Sequence, residues 1–199
     1  MELYLIRHGE SESNQNGTHS GWSPVNLTEK GRLQAEGAAK LLSGISFDRV
    51  FASDVLRAQQ TARIVFPSAN FTYIPLLREM NNTTMRGKSA EDMLALSGEK
   101  YLECRKNFDY APLGMDCESG AHLLARAGEL LRFFENSGFE RIAAVGHAGI
   151  IRACAAYVLG LKTHNPPMQC YNASVSVLLF KDGFWRVKAW NLNFNTDLY

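Results

Sequence analysis

Leu3-Tyr4-Leu5-Ile6 runs directly into Arg7-His8-Gly9-Glu10. An apolar run broken by a charged residue, a histidine and a glycine predicts a buried strand that delivers polar groups to its own carboxyl end. In an open parallel sheet that end is where ligands bind. Arg7 offers a permanently charged planar fork that fits phosphate, and His8 an imidazole that can be neutral and nucleophilic near neutral pH. Gly9 offers an approach free of a Cβ. Together these residues point to phosphoryl chemistry.

The same pattern returns late in the chain. Ile142-Ala143-Ala144-Val145 ends in Gly146-His147-Ala148-Gly149, ahead of a helix predicted to run to about Leu159. A histidine at a helix N-terminus is well placed to face an anion. Two such strand ends can lie side by side in one parallel sheet.

Between them the chain alternates strands with helices. Residues 11–26 form a polar stretch carrying Asn14, His19, Ser20, Gly21 and Trp22, and a long loop after a strand end predicts a site wall. Thr28 is a candidate N-cap for a helix to about Leu42, with Leu33, Gly37, Ala38, Leu41 and Leu42 as its apolar stripe. Arg49-Val50-Phe51-Ala52 is a second strand. Ser53 or Asp54 can cap a helix over 55–65, which puts Arg57 near its first turn. A cation there opposes the helix dipole, so a bound anion is a reason for it. Residues 71–74 are a third strand closed by Pro75, and Arg78-Glu79 follow shortly after.

Residues 80–118 are the least regular, with a helix expected over 89–104. This stretch reads as an insertion over the carboxyl edge of the sheet, with Trp22, Met85, Arg86, Tyr101 and Tyr110 as candidates for its entrance. A helix over 119–134 buries Leu123, Leu124, Ala127, Leu130, Leu131 and Phe134, and residues 173–190 form a hairpin around Lys181-Asp182-Gly183 at a sheet edge. The fold class expected is α/β: three α/β/α layers, a mostly parallel sheet, an antiparallel edge strand and a helical insertion over the carboxyl edge. Residues 1–199 read as one domain.

Composition narrows the function. The 199 residues are 46% hydrophobic and 21% charged, ordinary for a globular chain with one sizeable core. Twenty-one basic and 20 acidic side chains leave a formal charge of +1, so no global field favours nucleic acid or an anionic membrane. Cys104, Cys117, Cys154 and Cys170 show neither zinc-site spacing nor disulfide density, which fits free thiols in a reducing cytoplasm. No targeting segment, lipidation motif or membrane span is visible, and a cytoplasmic protein is expected. A homodimer is compatible with these numbers.

The motifs resemble those of the histidine phosphatase superfamily, the group containing cofactor-dependent phosphoglycerate mutases, the bisphosphatase of fructose 2,6-bisphosphate metabolism and alpha-ribazole phosphatase. They run in order through nearly the whole chain: Leu5-Ile6-Arg7-His8-Gly9-Glu10-Ser11 with Asn14; Leu27-Thr28 with Gly31, Gln34 and Ala35; Ser53-Asp54 with Arg57-Ala58 and Gln60-Thr61-Ala62; Leu77 with Glu79; Glu118-Ser119; and Gly146-His147-Ala148-Gly149.

The resemblance implies roles. His8 would be the nucleophile that takes the phosphoryl group and passes it to water. Arg7, Arg57 and His147 would form the pocket around the phosphoryl oxygens, with Asn14 as a neutral donor and Ser20 and Gly21 as further binding positions. Glu79 would be the general acid for the leaving oxygen and then the base for water. No metal and no cofactor is expected, because protein cations take that part. The implied partner is a small phosphorylated metabolite.

Three departures stand out. After Glu79, Asn81-Asn82-Thr83-Thr84-Met85-Arg86 replaces a run that many relatives make rich in glycine and an aromatic residue. Ala148 replaces the usual glycine after the second histidine. Asp197 precedes Leu198 where the family often has a histidine. The expected function is a metal-independent phosphatase for small phosphomonoesters. The alternatives are a phosphoglycerate mutase, against which Arg78, Arg86 and Arg105 stand apart rather than as an adjacent pair, and a non-catalytic module that binds a phosphorylated ligand.

Overall fold

The computed structural model describes residues 1–114 and 116–194. In chain order these form β1 (Glu2–Arg7), α1 (Glu12–Gln15), α2 (Glu29–Leu41), β2 (Arg49–Ala52), α3 (Leu56–Val65), β3 (Phe71–Tyr73), α4 (Ala90–Asn107), α5 (Gly120–Glu135), β4 (Arg141–Gly146), α6 (Ala148–Val158), β5 (Val175–Lys181) and β6 (Phe184–Leu192). The strands make one sheet in the order β3-β2-β4-β1-β5-β6. β3, β2, β4 and β1 are parallel, while β5 runs antiparallel to β1 and β6 antiparallel to β5. The expected α/β/α architecture is therefore present, and the expected hairpin forms its antiparallel edge as β5 and β6.

Alternation along the central strands feeds two cores. Leu3, Leu5, Ile142 and Ala144 point to one face, where they meet Leu123, Leu130 and Phe134 of α5 and Ile150 and Ile151 of α6. Ile6, Ala143 and Val145 point to the other, against Ala35 and Ala38 of α2 and Ala58 and Ala62 of α3. The residues that alternate in sequence thus separate onto two helix layers.

Thr28 caps α2 as expected, its hydroxyl accepting from the Gly31 amide at 3.0 Å. The buried face of α2 is rotated from the predicted stripe. Gly31, Gln34, Ala35, Gly37 and Ala38 are buried, whereas Leu33 is 44% exposed. The cause is close backbone approach: a Cβ on Gly31 would lie 2.0 Å from the Glu10 carbonyl oxygen, and one on Gly9 2.2 Å from that of Gly31. Small residues face this crossing because nothing larger fits. The open approach expected at Gly9 is therefore filled by α2.

Neither Ser53 nor Asp54 is the N-cap of α3. That position is Val55, whose amide donates to the Ser53 hydroxyl at 3.3 Å. Asp54 instead holds Arg78 through two short hydrogen bonds, 2.7 Å from Nε and 2.5 Å from Nη2. The insertion helix α4 starts after Ser89 in a capping box with Asp92, and it is broken at Gly98 (φ 55°, ψ −137°). Leu124, placed on the buried face of α5 by periodicity, is only half-buried. The four cysteines are buried and unpaired. Among the described residues no helix is long and apolar enough to cross a membrane.

Candidate active site

The sheet order brings three carboxyl ends together. Arg7 pairs with Gly146 and Ala52 with Val145, so His8, His147 and Ser53 stand side by side just past β1, β4 and β2. The two imidazoles are buried, their ring centroids 5.1 Å apart. Arg57 reaches between them from the first turn of α3. Its Nε–H donates to His8 Nε2 at 3.1 Å, and its Nη2 donates to His147 Nδ1 at 3.1 Å and to the Gly21 carbonyl at 2.8 Å.

These bonds settle both tautomers. A guanidinium only donates, so His8 Nε2 and His147 Nδ1 each accept with a lone pair. The protons sit on the opposite nitrogens: His8 Nδ1 donates to the Gly9 carbonyl at 2.7 Å, and His147 Nε2 donates to the Ser53 hydroxyl at 3.0 Å. Both rings are neutral. Burial, and then the charges of Arg57 and Arg7, hold the His8 pKa well below its usual 6.5, against a smaller upward pull from the Gly9 hydrogen bond. For His147 burial again leads, followed by Arg57, His8, Arg7 and Arg126. Burial also brings Arg57 down to about 10, with Glu79 opposing and Arg7 adding to the shift.

The remaining expected residues surround this centre. Arg7 Nη1 donates to the Cys170 carbonyl at 2.6 Å, which leaves its buried Nε without a partner. Asn14 Oδ1 accepts from the Ser11 amide (3.2 Å), the Ser11 hydroxyl (3.0 Å) and Asn172 Nδ2 (3.3 Å). Its oxygen is thereby engaged, and Nδ2 is the group it can offer. Glu79 Oε1 accepts from the Met80 amide at 2.9 Å and Oε2 from the Gly149 amide at 3.3 Å. The fit to α6 is tight, for a Cβ at Gly149 would lie 2.1 Å from Glu79 Oε1.

Arg7, His8, Asn14, Ser20, Gly21, Arg57 and Glu79 all line one cleft of about 220 Å³. His147, expected in the pocket, is fully buried and does not line this cleft. The match with the histidine phosphatase superfamily (branch 1) spans residues 3–193.

This chain belongs to the histidine phosphatase superfamily.

The adenosylcobalamin/alpha-ribazole phosphatase of Escherichia coli K12 is 32% identical over 164 residues, covering 81% of this chain and 80% of that protein. The 2,3-bisphosphoglycerate-dependent phosphoglycerate mutase of Glaesserella parasuis is 30% identical over 196 residues, covering 81% and 86%. The crystal structure of the alpha-ribazole phosphatase of Shigella flexneri superposes with a TM-score of 0.85 at 28% identity over 96% of each chain. Both phosphatases and mutases are thus relatives, and membership of this superfamily implies a phosphorylated ligand.

Several side chains that support this histidine phosphatase site were given no role by the sequence. Arg126 engages all five of its donors: Nε and Nη2 grip Glu118 at 2.9 and 2.8 Å, Nη1 holds the Leu76 and Arg78 carbonyls at 2.9 and 2.8 Å, and Nη2 also reaches the Glu79 carbonyl at 3.4 Å. Burial pushes the Glu118 carboxyl up, but Arg126, His122 and the Asn81 amide outweigh it and the net shift is downward. Trp22 Nε1 donates to the Glu79 carbonyl at 2.8 Å. Thr61 accepts from the Gly9 amide at 3.1 Å and donates to the Arg57 carbonyl at 2.8 Å. Asn172 Nδ2 donates to the His8 carbonyl at 3.1 Å. Ser53, Thr61 and Glu118 stand in the family motifs, but Arg126 and Asn172 stand outside them.

Of the five candidates for the entrance, only Tyr110 lines the cleft. Met85 and Tyr101 are buried in the core, Arg86 is exposed, and Trp22 stacks against Arg78 with 4.5 Å from guanidinium to ring centroid. Phe108, Leu123, Arg152, His164 and Asn165 line it instead. The Asp197-Leu198 departure lies outside the described residues.

Proposed function

We propose that this chain is a metal-independent phosphatase that hydrolyses small phosphomonoesters through a phosphohistidine on His8. The observation that carries the reading is the His8 tautomer. Its proton is committed to the Gly9 carbonyl, so the lone pair is on Nε2, where it accepts from Arg57 Nε–H until a phosphoryl oxygen takes that donor and frees it to attack.

In this scheme the Nε2 lone pair attacks phosphorus, the ester P–O bond breaks, and Glu79 gives its proton to the leaving oxygen to release an alcohol. Water then attacks the phosphorus. Its proton goes to Glu79, the P–N bond breaks, and the electron pair returns to Nε2. Arg7, Arg57 and the Asn14 amide hold the phosphoryl oxygens throughout, and Ser20 and Gly21 border them. His147 acts behind the pocket as a neutral ring that holds the Arg57 guanidinium and the Ser53 hydroxyl in place. Preorganised donors of this kind supply most of the rate in phosphoryl transfer. The same reading takes residues 1–199 as one domain in a reducing cytoplasm, where four buried free thiols persist.

A mutase is the second reading, supported by 30% identity to a mutase over a similar share of the chain. Against it, Arg78 is held by Asp54 and Trp22, and neither Arg86 nor Arg105 lines the cleft. Phosphate release from a panel of alkyl and aryl phosphomonoesters with a chelator present tests the choice, together with acid-quench trapping of labelled phosphoenzyme in wild type and His8→Ala. Release that survives the chelator, with label lost in His8→Ala, is the expected result. Bisphosphate-dependent interconversion of 2- and 3-phosphoglycerate would select the mutase, and binding without phosphoenzyme the non-catalytic module.

A further inference from the structure

Phe108 ends α4 in the left-handed conformation (φ 52°, ψ 29°). Glycine or asparagine usually takes such a helix end, because a bulky side chain there is strained. The ring of Phe108 packs in neither core and is 45% exposed, yet it lines the cleft. Strain kept for an aromatic ring that the core does not use points to function.

Three segments meet to hold that conformation. His164, buried in the loop after α6, donates from Nε2 to the Phe108 carbonyl at 2.8 Å. Its ring lies flush on the first turn of α5, where a Cβ at Gly120 would stand 2.1 Å from Nδ1 and 2.3 Å from Cε1. The Gly120 amide in turn donates to Asp109 Oδ2 at 3.1 Å, and Asp109 Oδ1 accepts from the Ala111 amide at 3.2 Å. The end of α4, the start of α5 and the loop after α6 are thus tied at one point. Gly120 is needed there because the imidazole fills the space of its side chain.

Further rings join Phe108 in the lining. Tyr110 and His19 line the same cleft with centroids 5.9 Å apart, and Tyr110 is backed by Tyr101 in a stacked pair at 6.3 Å. Rings held in this way favour another ring, stacked or edge-on, over a flexible chain.

We propose, resting on the phosphatase reading, that His164 is a positioning residue that holds Phe108 in the outer wall of the cleft, where its ring packs on a flat ring carried by the leaving group. Preferred substrates are therefore phosphomonoesters of alcohols that bear an aromatic or heteroaromatic ring.

The test pairs 2-phenylethyl phosphate with ethyl phosphate. Both release simple primary alcohols, so the demand on Glu79 is matched and the ratio of their kcat/KM values reports the ring subsite. In wild type that ratio should be about 10 or more, the range of an aromatic pair with its buried area. Phe108→Gly should lower it at least about fivefold, with the loss in KM. Its melting temperature should not fall, because glycine takes the left-handed conformation freely. His164→Leu should lower the ratio in the same way, and His164→Gln, which keeps an N–H donor, should restore most of it. Gly120→Ala should reproduce His164→Leu, since the added methyl displaces the imidazole.

A wild-type ratio near one, or an unchanged ratio in Phe108→Gly, overturns the ring subsite. A ratio that falls in Phe108→Gly but in neither His164→Leu nor Gly120→Ala overturns the positioning role, as do equal losses in His164→Leu and His164→Gln. Should Gly120→Ala fail to fold, the two His164 variants carry the comparison. Absence of turnover with both esters and with p-nitrophenyl phosphate refutes the phosphatase reading instead, and calorimetric titration of the two esters still reads the ratio as affinities.

Discussion

Gly149→Ala separates catalysis from stability. The added methyl would lie 2.1 Å from Glu79 Oε1 and 3.1 Å from its carboxyl carbon, where ordinary contact begins at 3.4 Å. The obstructing atom is the end of a flexible side chain, so the carboxylate retreats and the backbone stays. A retreat of about 1 Å by a catalytic group costs about 100-fold in rate. Stability moves little, because losing the 3.3 Å bond between the Gly149 amide and Oε2 costs about 1 kcal/mol. Alanine for glycine inside a helix returns up to about 1 kcal/mol.

The expected result is a melting temperature within about 3 °C of wild type and kcat/KM reduced about 100-fold for alkyl phosphates. The kcat/KM of p-nitrophenyl phosphate, which reports only the steps through release of a leaving group that needs no proton, should change by less than about threefold. Glu79→Gln should give the same pattern. Equal losses on alkyl and aryl esters, or no loss on either, would refute the assignment of Glu79 as the acid that α6 holds in place.

Gly31→Ala should behave in the opposite way, since its Cβ would meet backbone atoms of Glu10 that cannot swing aside; a loss of about 2–3 kcal/mol in urea unfolding is expected. Arg126→Met leaves Glu118 buried without its main partner, which should cost about 3–5 kcal/mol by the same measurement. It should also deepen the loss on alkyl relative to aryl esters, because the carbonyls of residues 76, 78 and 79 lose their donors. pH acts through the two imidazoles. Their folded pKa values lie well below 6.5, so as pH falls past 6.5 the unfolded chain takes up protons that the native state refuses, and stability declines toward the folded values. Each contributes a slope of about 1.4 kcal/mol per pH unit in that window. Urea midpoints from pH 7 to 5 should therefore fall less steeply for His147→Asn than for wild type, and parallel slopes would contradict a neutral buried His147.

Hydrophobic period alone determined where the sheet strands lie and which residues stand at their carboxyl ends, because a buried parallel strand must be apolar until it emerges. His8 and His147 were legible for that reason, Arg57 was singled out as a cation opposing a helix dipole, and the ordered motifs added the family and the candidate site. What only the tertiary structure decided are contacts between residues far apart in the chain. Examples are the fit of Gly149 against Glu79, the reach of Arg126 to three carbonyls, the hold of Asn172 on the loop after β1, and the bond from His164 to the Phe108 carbonyl. Period also misjudged α2, where Leu33 looked inward but the crossing of Gly9 and Gly31 admits only small side chains. Amphipathic pattern reports which side of an element is apolar, whereas distance of approach, tautomer and the pairing of each buried donor depend on what is packed opposite, and no local window contains that neighbour.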